Sequence, residues 1–404
     1  MRQVIRIAKM HQQETAEGCV VSFDLEIKGN PYVLEYKITG DVKCVPERCD
    51  CVVINFLLLA MRFNMDIQSS YPMSEALYLN LTKQVIPQVH LCNPKDTHPI
   101  VLDVPTTNEK YNGDWRGTGI SLGVDSLSTI HEYQEEELPK DYKLTHLVHM
   151  KTGAHHGLKG GFDKETENRL FDIENQNVIR YCHEFGFPLV NIETNLFEIT
   201  CAEFVNTFAD TVVMRNLGVL LLLQHKFDKY YYATTYNINE FKIDIKDDNA
   251  YYENWLVPLL STENLTFFCA NSSKTRIEKT EYISLFEDAP RYLHVCHREG
   301  DNCGECPKCI QTCIHLDLLG KLNQFKVFDV EKFYKNKKNL YATVSVLKNN
   351  NLYYNDAYNQ MKHYGVKMPG LFSKIKVIVA TTFARFKTYG FKFVLEAIKR
   401  KIRK

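Results

Sequence analysis

The chain has 404 residues, 45% of them apolar and 24% charged, enough for more than one core and too apolar to be largely disordered. Its formal charge is zero, so no global basic excess points to nucleic acid. Thirteen cysteines do not read as a secreted disulfide framework, the N-terminus carries no apolar leader, and no apolar run nears the roughly 18 residues of a membrane span. The expected setting is cytoplasmic.

Residues 1 to about 45 are expected to be β-rich, with "CVVSFDLEIKG" and "PYVLEYKITG" alternating in polarity as a hairpin turning at Gly29–Pro31. Helical spacing follows over 50–65 and 73–90, the second capped by Ser74. The polar stretch 105–119 reads as a connector. Beyond it strands and helices alternate: a short strand, a helix from Ser126 to Tyr133, a strand over 143–150, a helix over 174–186 closed by Gly186, a strand over 188–195, a helix within 204–225 and a strand over 229–236. Such alternation predicts an α/β fold with a doubly wound, mostly parallel sheet whose ligands sit at the carboxyl ends of the strands. Three regions are expected: a β-rich α+β N-terminal domain over 1–110, the α/β domain over 111–325, and a helical C-terminal region over 326–404.

"SLGVDS", Ser121 to Ser126, links a short strand to a helix. Unpaired backbone N–H groups and the helix dipole favour an anion there. Ser121, Gly123 and Ser126 offer donors, and Asp125 suits either a bond to the turn's own amides or a magnesium ion bridging phosphates. Further on, Cys296, Cys303, Cys306 and Cys309 are spaced C-x6-C-x2-C-x2-C, four thiolates that fit a closed structural zinc site; an iron–sulfur cluster uses the same donors. Between the two stretches, Arg276 and Lys279 stand three residues apart on a predicted helix, able to reach one anion.

In kind and order these three stretches resemble the PP-loop ATP pyrophosphatase superfamily, and within it proteins like 7-cyano-7-deazaguanine synthase. That family carries a Ser-Gly-Gly-x-Asp-Ser loop, a later Arg–Lys segment and a four-cysteine zinc site. "NCGECPKCIQT" followed by an apolar helix adds to the likeness, which covers about residues 115–320. Leu122 departs from it, standing where the first glycine is expected. The first 110 residues look like the N-terminal extension of an uncharacterised bacterial branch. The resemblance implies the PP-loop fold, of the adenine nucleotide alpha hydrolase type, with ATP, Mg2+ and Zn2+ as cofactors. It also implies an AMP- and pyrophosphate-forming ligase that adenylates a small carboxylate for attack by ammonia or another nitrogen donor. Residues Ser121 to Ser126, with Leu122 and Val124 among them, would cradle pyrophosphate, and Asp125, Ser126, Arg276 and Lys279 would carry the chemistry.

Two alternatives accompany this reading. One is a nucleotide-binding interaction or defence module whose loop has decayed at Leu122. The other is tRNA thiolation using Cys44, Cys49 or Cys51, which the acidic body disfavours by repelling RNA. His155, His156, Thr234, Thr235 and Ser261 are further polar residues that the order of elements places near the cleft. From Phe372 to Lys404 there are ten Lys or Arg and one acid, Glu396, so residues 1–371 carry nine net negatives. Apolar positions Ile375, Val379, Phe383, Phe386 and Phe393 fall along one side of that tail, a stripe for packing on the acidic body or for peripheral contact with an anionic membrane through 372–404. A second copy of the chain, as a homodimer, is the other partner considered.

Overall fold

The computed structural model describes residues 2–154, 163–204, 208–296 and 301–380. They form two compact units, Met1–Ile283 with Tyr292–Gly300, and Ser284–Arg291 with Asp301–Lys404.

The larger unit opens with an antiparallel meander, β1 (Gln3–Glu14), β2 (Gly18–Ile27) and β3 (Asn30–Thr39). Alternation puts Val21, Phe23, Leu25 and Ile27 of β2 in the core. The hairpin turns at Lys28 and Gly29, both at positive φ, one residue before the expected place; two left-handed residues make the turn whose twist matches the strands. The apolar run after it becomes α1 (Asp50–Phe63), buried on nearly every side. Next come β4 (Met65–Ser69), the short β5 (Met73–Ser74), α2 (Glu75–Asn80) and α3 (Ile86–Cys92), the two helices joined by a π-helical turn. Ser74 caps α2 as expected, accepting from the Leu77 amide at 3.0 Å. The short β6 (Leu102–Asp103) pairs with β4, and β7 (Thr106–Thr107) with β5.

Strand and helix then alternate: β8 (Trp115–Gly119), α4 (Val124–Glu132), β9 (His146–Lys151), α5 (Lys164–Phe185), β10 (Leu189–Thr194), α6 (Leu196–Glu203), α7 (Phe208–Leu220), β11 (Phe227–Ala233), α8 (Glu253–Leu259), β12 (Thr266–Ala270) and α9 (Arg276–Ile283). One ten-stranded sheet results, in the order β12-β11-β8-β9-β10-β3-β2-β1-β4-β6. The five strands from β12 to β10 are all parallel. Starting at β8, the chain adds β9 and β10 on one side, then crosses to add β11 and β12 on the other. With right-handed crossovers that reversal sends helices to opposite faces and opens a crevice between the carboxyl ends of β8 and β11. The meander continues the sheet through the antiparallel pair β10–β3, so no break in the sheet falls at the boundary expected near residue 110.

After α10 (Ala289–Tyr292) the smaller unit is helical, with α11 (Pro307–Leu318), α12 (Val330–Leu347) and α13 (Leu352–His363). Tyr341 on α12 donates to Asp317 on α11 at 2.7 Å, and Gln311 on α11 donates to Asp356 on α13 at 2.5 Å. Residues 371–380 form one more helix, and among the described residues no helix is long and apolar enough to cross a membrane.

Candidate functional site

The Ser121–Ser126 loop leaves the carboxyl end of β8 and turns into α4 at the switch point. Gly123 is the N-cap of α4. The Ser126 hydroxyl donates to the Gly123 carbonyl at 3.1 Å, and the Ser121 amide lies 3.4 Å from the Ser126 oxygen. Leu122 has a φ of +57°, the left-handed region that glycine enters without strain, and its side chain is buried. That backbone costs a leucine about 1–2 kcal/mol. Burying the side chain returns about 1.5–3 kcal/mol, so the turn holds its shape without a glycine. The Leu122 carbonyl also accepts from the His294 amide at 2.9 Å.

Asp125, on the first turn of α4, draws in both predicted cations. Arg276, at the start of α9, pairs with one carboxylate oxygen, and Lys279, one turn on, meets the other at 3.2 Å. Burial pushes the Asp125 carboxyl up, but the two positive charges and their hydrogen bonds outweigh it and hold the group below its ordinary value. Lys279 is fully buried and also donates to the Thr234 carbonyl, just past β11, at 2.6 Å. It therefore ties α4 to the end of β11 across the crevice, while Arg276 keeps part of its surface in solvent.

The end of β12 is fixed from the same side. Asn271, another left-handed residue, accepts from the Ser128 hydroxyl at 3.0 Å and donates to Thr129 at 3.1 Å, and its amide donates to Glu132 at 3.1 Å. Lys274 closes the set on Glu132 at 2.8 Å.

Glu253 is the residue here that sequence reasoning missed. At the start of α8 and fully buried, it accepts the amides of Thr235 and Tyr236 on one oxygen, at 2.6 and 3.0 Å, while the other oxygen has no partner among the described residues. Burial dominates its titration and pushes it up to about 8, against the pull of those amides and of Lys279. The crevice thus holds two cations and the ionised Asp125 beside a carboxyl that burial pushes towards its neutral form, at the positive end of α4.

Of the other polar residues, Thr234 turns its hydroxyl onto the Ala270 carbonyl at 2.6 Å, and Ser261 accepts the Phe267 amide at 3.0 Å; both serve the sheet. His155 and His156 lie outside the described residues.

The four cysteines come together, their sulfurs all within 4.8 Å of one another and those of Cys303 and Cys309 4.0 Å apart. Gly304 sits at a φ of +69°, which lets the Cys303–Cys306 knuckle fold back so that the amides of Glu305 and Cys306 point at the Cys303 sulfur at 3.4 and 3.3 Å. Cys306 then caps α11, accepting from the Cys309 amide at 3.4 Å. A donor set of four thiolates backed by N–H groups suits a soft cation such as zinc.

No protein-family model, no curated protein and no solved structure matches this chain.

Proposed function

We propose that the chain binds ATP at the carboxyl end of β8 and couples its cleavage to AMP and pyrophosphate to the activation of a small carboxylate for attack by ammonia or another nitrogen donor. The observation that carries this is Asp125 held between Arg276 and Lys279 at a helix N-terminus on the sheet's switch point. The paired cations, the N-terminal end of α4 and the switch point at the carboxyl end of the sheet favour a polyphosphate over a neutral ligand. Ser121, Gly123 and Ser126 supply donors to it. Lys279, locked on Thr234, holds Asp125 in place, and Arg276, paired with Asp125 and partly exposed, is the cation that would meet a phosphate. Magnesium supplies charge neutralisation on phosphates, and Asp125 is the carboxylate that would hold it as Arg276 leaves.

For the cysteines the proposal is a single structural zinc. Zinc–sulfur bonds of about 2.3 Å put tetrahedral sulfurs about 3.8 Å apart, near the 4.0 Å between Cys303 and Cys309, whereas thiolates on separate irons of a cluster stand farther apart. Cys49 and Cys51 are buried and burial pushes both thiols up, which speaks against either as the persulfide carrier that thiolation needs; Cys44 is exposed.

ATP–pyrophosphate exchange, run with a panel of small carboxylic acids, tests the enzyme. Exchange in the wild type should fall by roughly 10²–10³-fold in Ser126→Ala and Arg276→Ala and vanish in Asp125→Ala and Lys279→Ala. Wild-type rates in all four would overturn the assignment. ATP binding without exchange would favour the interaction module.

A further inference from the structure

A cavity of about 190 Å³ opens on the sheet beyond β9, away from the Asp125 cluster. Its floor is a row of charges fixed by register. Lys37 on β3 lies directly opposite Glu193 on β10, and Glu193 lies opposite Lys151 on β9. Directly opposed residues project from the same face, so the row alternates cation, anion, cation. Glu35, two residues from Lys37, joins that face, while Leu34, Tyr36 and Ile38 point into the core. The walls are the first turns of α5 and α6.

Most of these charges are already matched. Lys151 donates to Asn168 at 2.5 Å and lies 3.4 Å from Glu193, and Lys164 meets Glu198 at 3.1 Å. Among the described residues, the side chains of Lys37 and Glu35 make no hydrogen bond or ion pair: one free ammonium and one free carboxylate, side by side on one strand. A purely anionic ligand would meet Glu35 and Glu193, and a purely cationic one Lys37 and Lys151. A molecule bearing both charges satisfies both.

We propose that this cavity binds a small zwitterionic molecule of the amino-acid class, its carboxylate on Lys37 and its ammonium on Glu35. The volume lies below the range for drug-sized ligands and suits one of that size. With strands about 4.8 Å apart, β3 stands about 14 Å from β8, so a molecule anchored at Lys37 and Glu35 sits apart from the Ser121–Ser126 loop. The N-terminal meander thereby acquires a task, since β3 supplies both anchoring residues. The inference is independent of the nucleotide reading.

The test is calorimetric titration of the full chain, without ATP, with each of the twenty free amino acids. At least one should bind saturably. Glu35→Ala and Lys37→Ala, both at exposed positions, should each weaken it about tenfold or more, and Lys37→Arg should retain it. Absence of saturable binding by all twenty, or equal affinity in both alanine variants, would overturn the proposal. Exchange without amino-acid binding sinks this inference alone; binding without exchange sinks the nucleotide reading alone.

Discussion

Asp125 and Glu253 are two carboxyls within the electrostatic reach of Lys279 that the fold drives in opposite directions. Asp125 has two cations and is held ionised; Glu253 has two amides for one oxygen and nothing for the other. An acid raised from 4.5 to about 8 contributes stability that is fully present below its ordinary value and is lost as pH rises through about 8. Glu253→Gln keeps the acceptor for the Thr235 and Tyr236 amides and removes the titration. Melting curves of the two proteins should coincide near pH 5 and separate by pH 9, with the glutamine variant the more stable. A gap that does not grow with pH would show that Glu253 is ionised already at pH 5. This residue was hidden in the sequence because "YYENW" looks like an ordinary helix start, with its glutamate in water. Asp125, Arg276 and Lys279 were legible because their residue types and spacing already made sense together. That Lys279 is buried was not, since burial depends on where β11 ends.

Among the elements, β8 was least visible. "WRGTG" shows no alternation and carries two glycines, and the stretch reads as a connector. The structure explains them: a Cβ on Gly117 would stand 2.4 Å from the Phe227 ring, and one on Gly119 3.0 Å from the Tyr230 hydroxyl. Large aromatics on the adjacent β11 take the room that β8 side chains would fill, so the strand on which the site is built has the weakest strand signature. The meander and α1 were legible because one-sided burial imposes alternation and burial all round imposes a continuous apolar run. The cysteine knuckle was legible for a chemical reason, four thiolates within fourteen residues. It also caps a helix, so losing the metal should be felt in α11. Purified protein should carry one zinc per chain by elemental analysis. Cys306→Ser should lose it together with the cap, whereas Cys313→Ala, whose buried thiol lies outside the four-sulfur cluster, should retain it. Full zinc content in Cys306→Ser would remove the knuckle from the ligand set.

On the scale of the whole molecule the main asymmetry is charge, nine net negatives over residues 1–371 against nine net positives from Phe372 onward. A basic amphipathic segment has two outlets, an acidic protein surface or an anionic membrane. The second can be tested directly. In the helix 371–380, Leu371 and Phe372 are 75% and 74% exposed, and Ile375 and Val379, on the same stripe, are also uncovered. Phe383, Phe386 and Phe393 lie outside the described residues, but their sequence continues the basic and aromatic composition. Each Lys or Arg near an anionic surface adds about 1 kcal/mol of attraction, and apolar side chains entering the headgroup boundary add to it. The full chain should therefore sediment with vesicles containing phosphatidylserine at low salt. It should release as salt rises, because the attraction is screened, and ignore neutral phosphatidylcholine vesicles. Leu371→Ser/Phe372→Ser should weaken the association several-fold without changing its salt dependence, since those residues contribute apolar area and no charge. Deleting 372–404 should abolish it. Equal sedimentation with both lipids, or a deletion that changes nothing, would leave packing against the acidic body as the use of the tail.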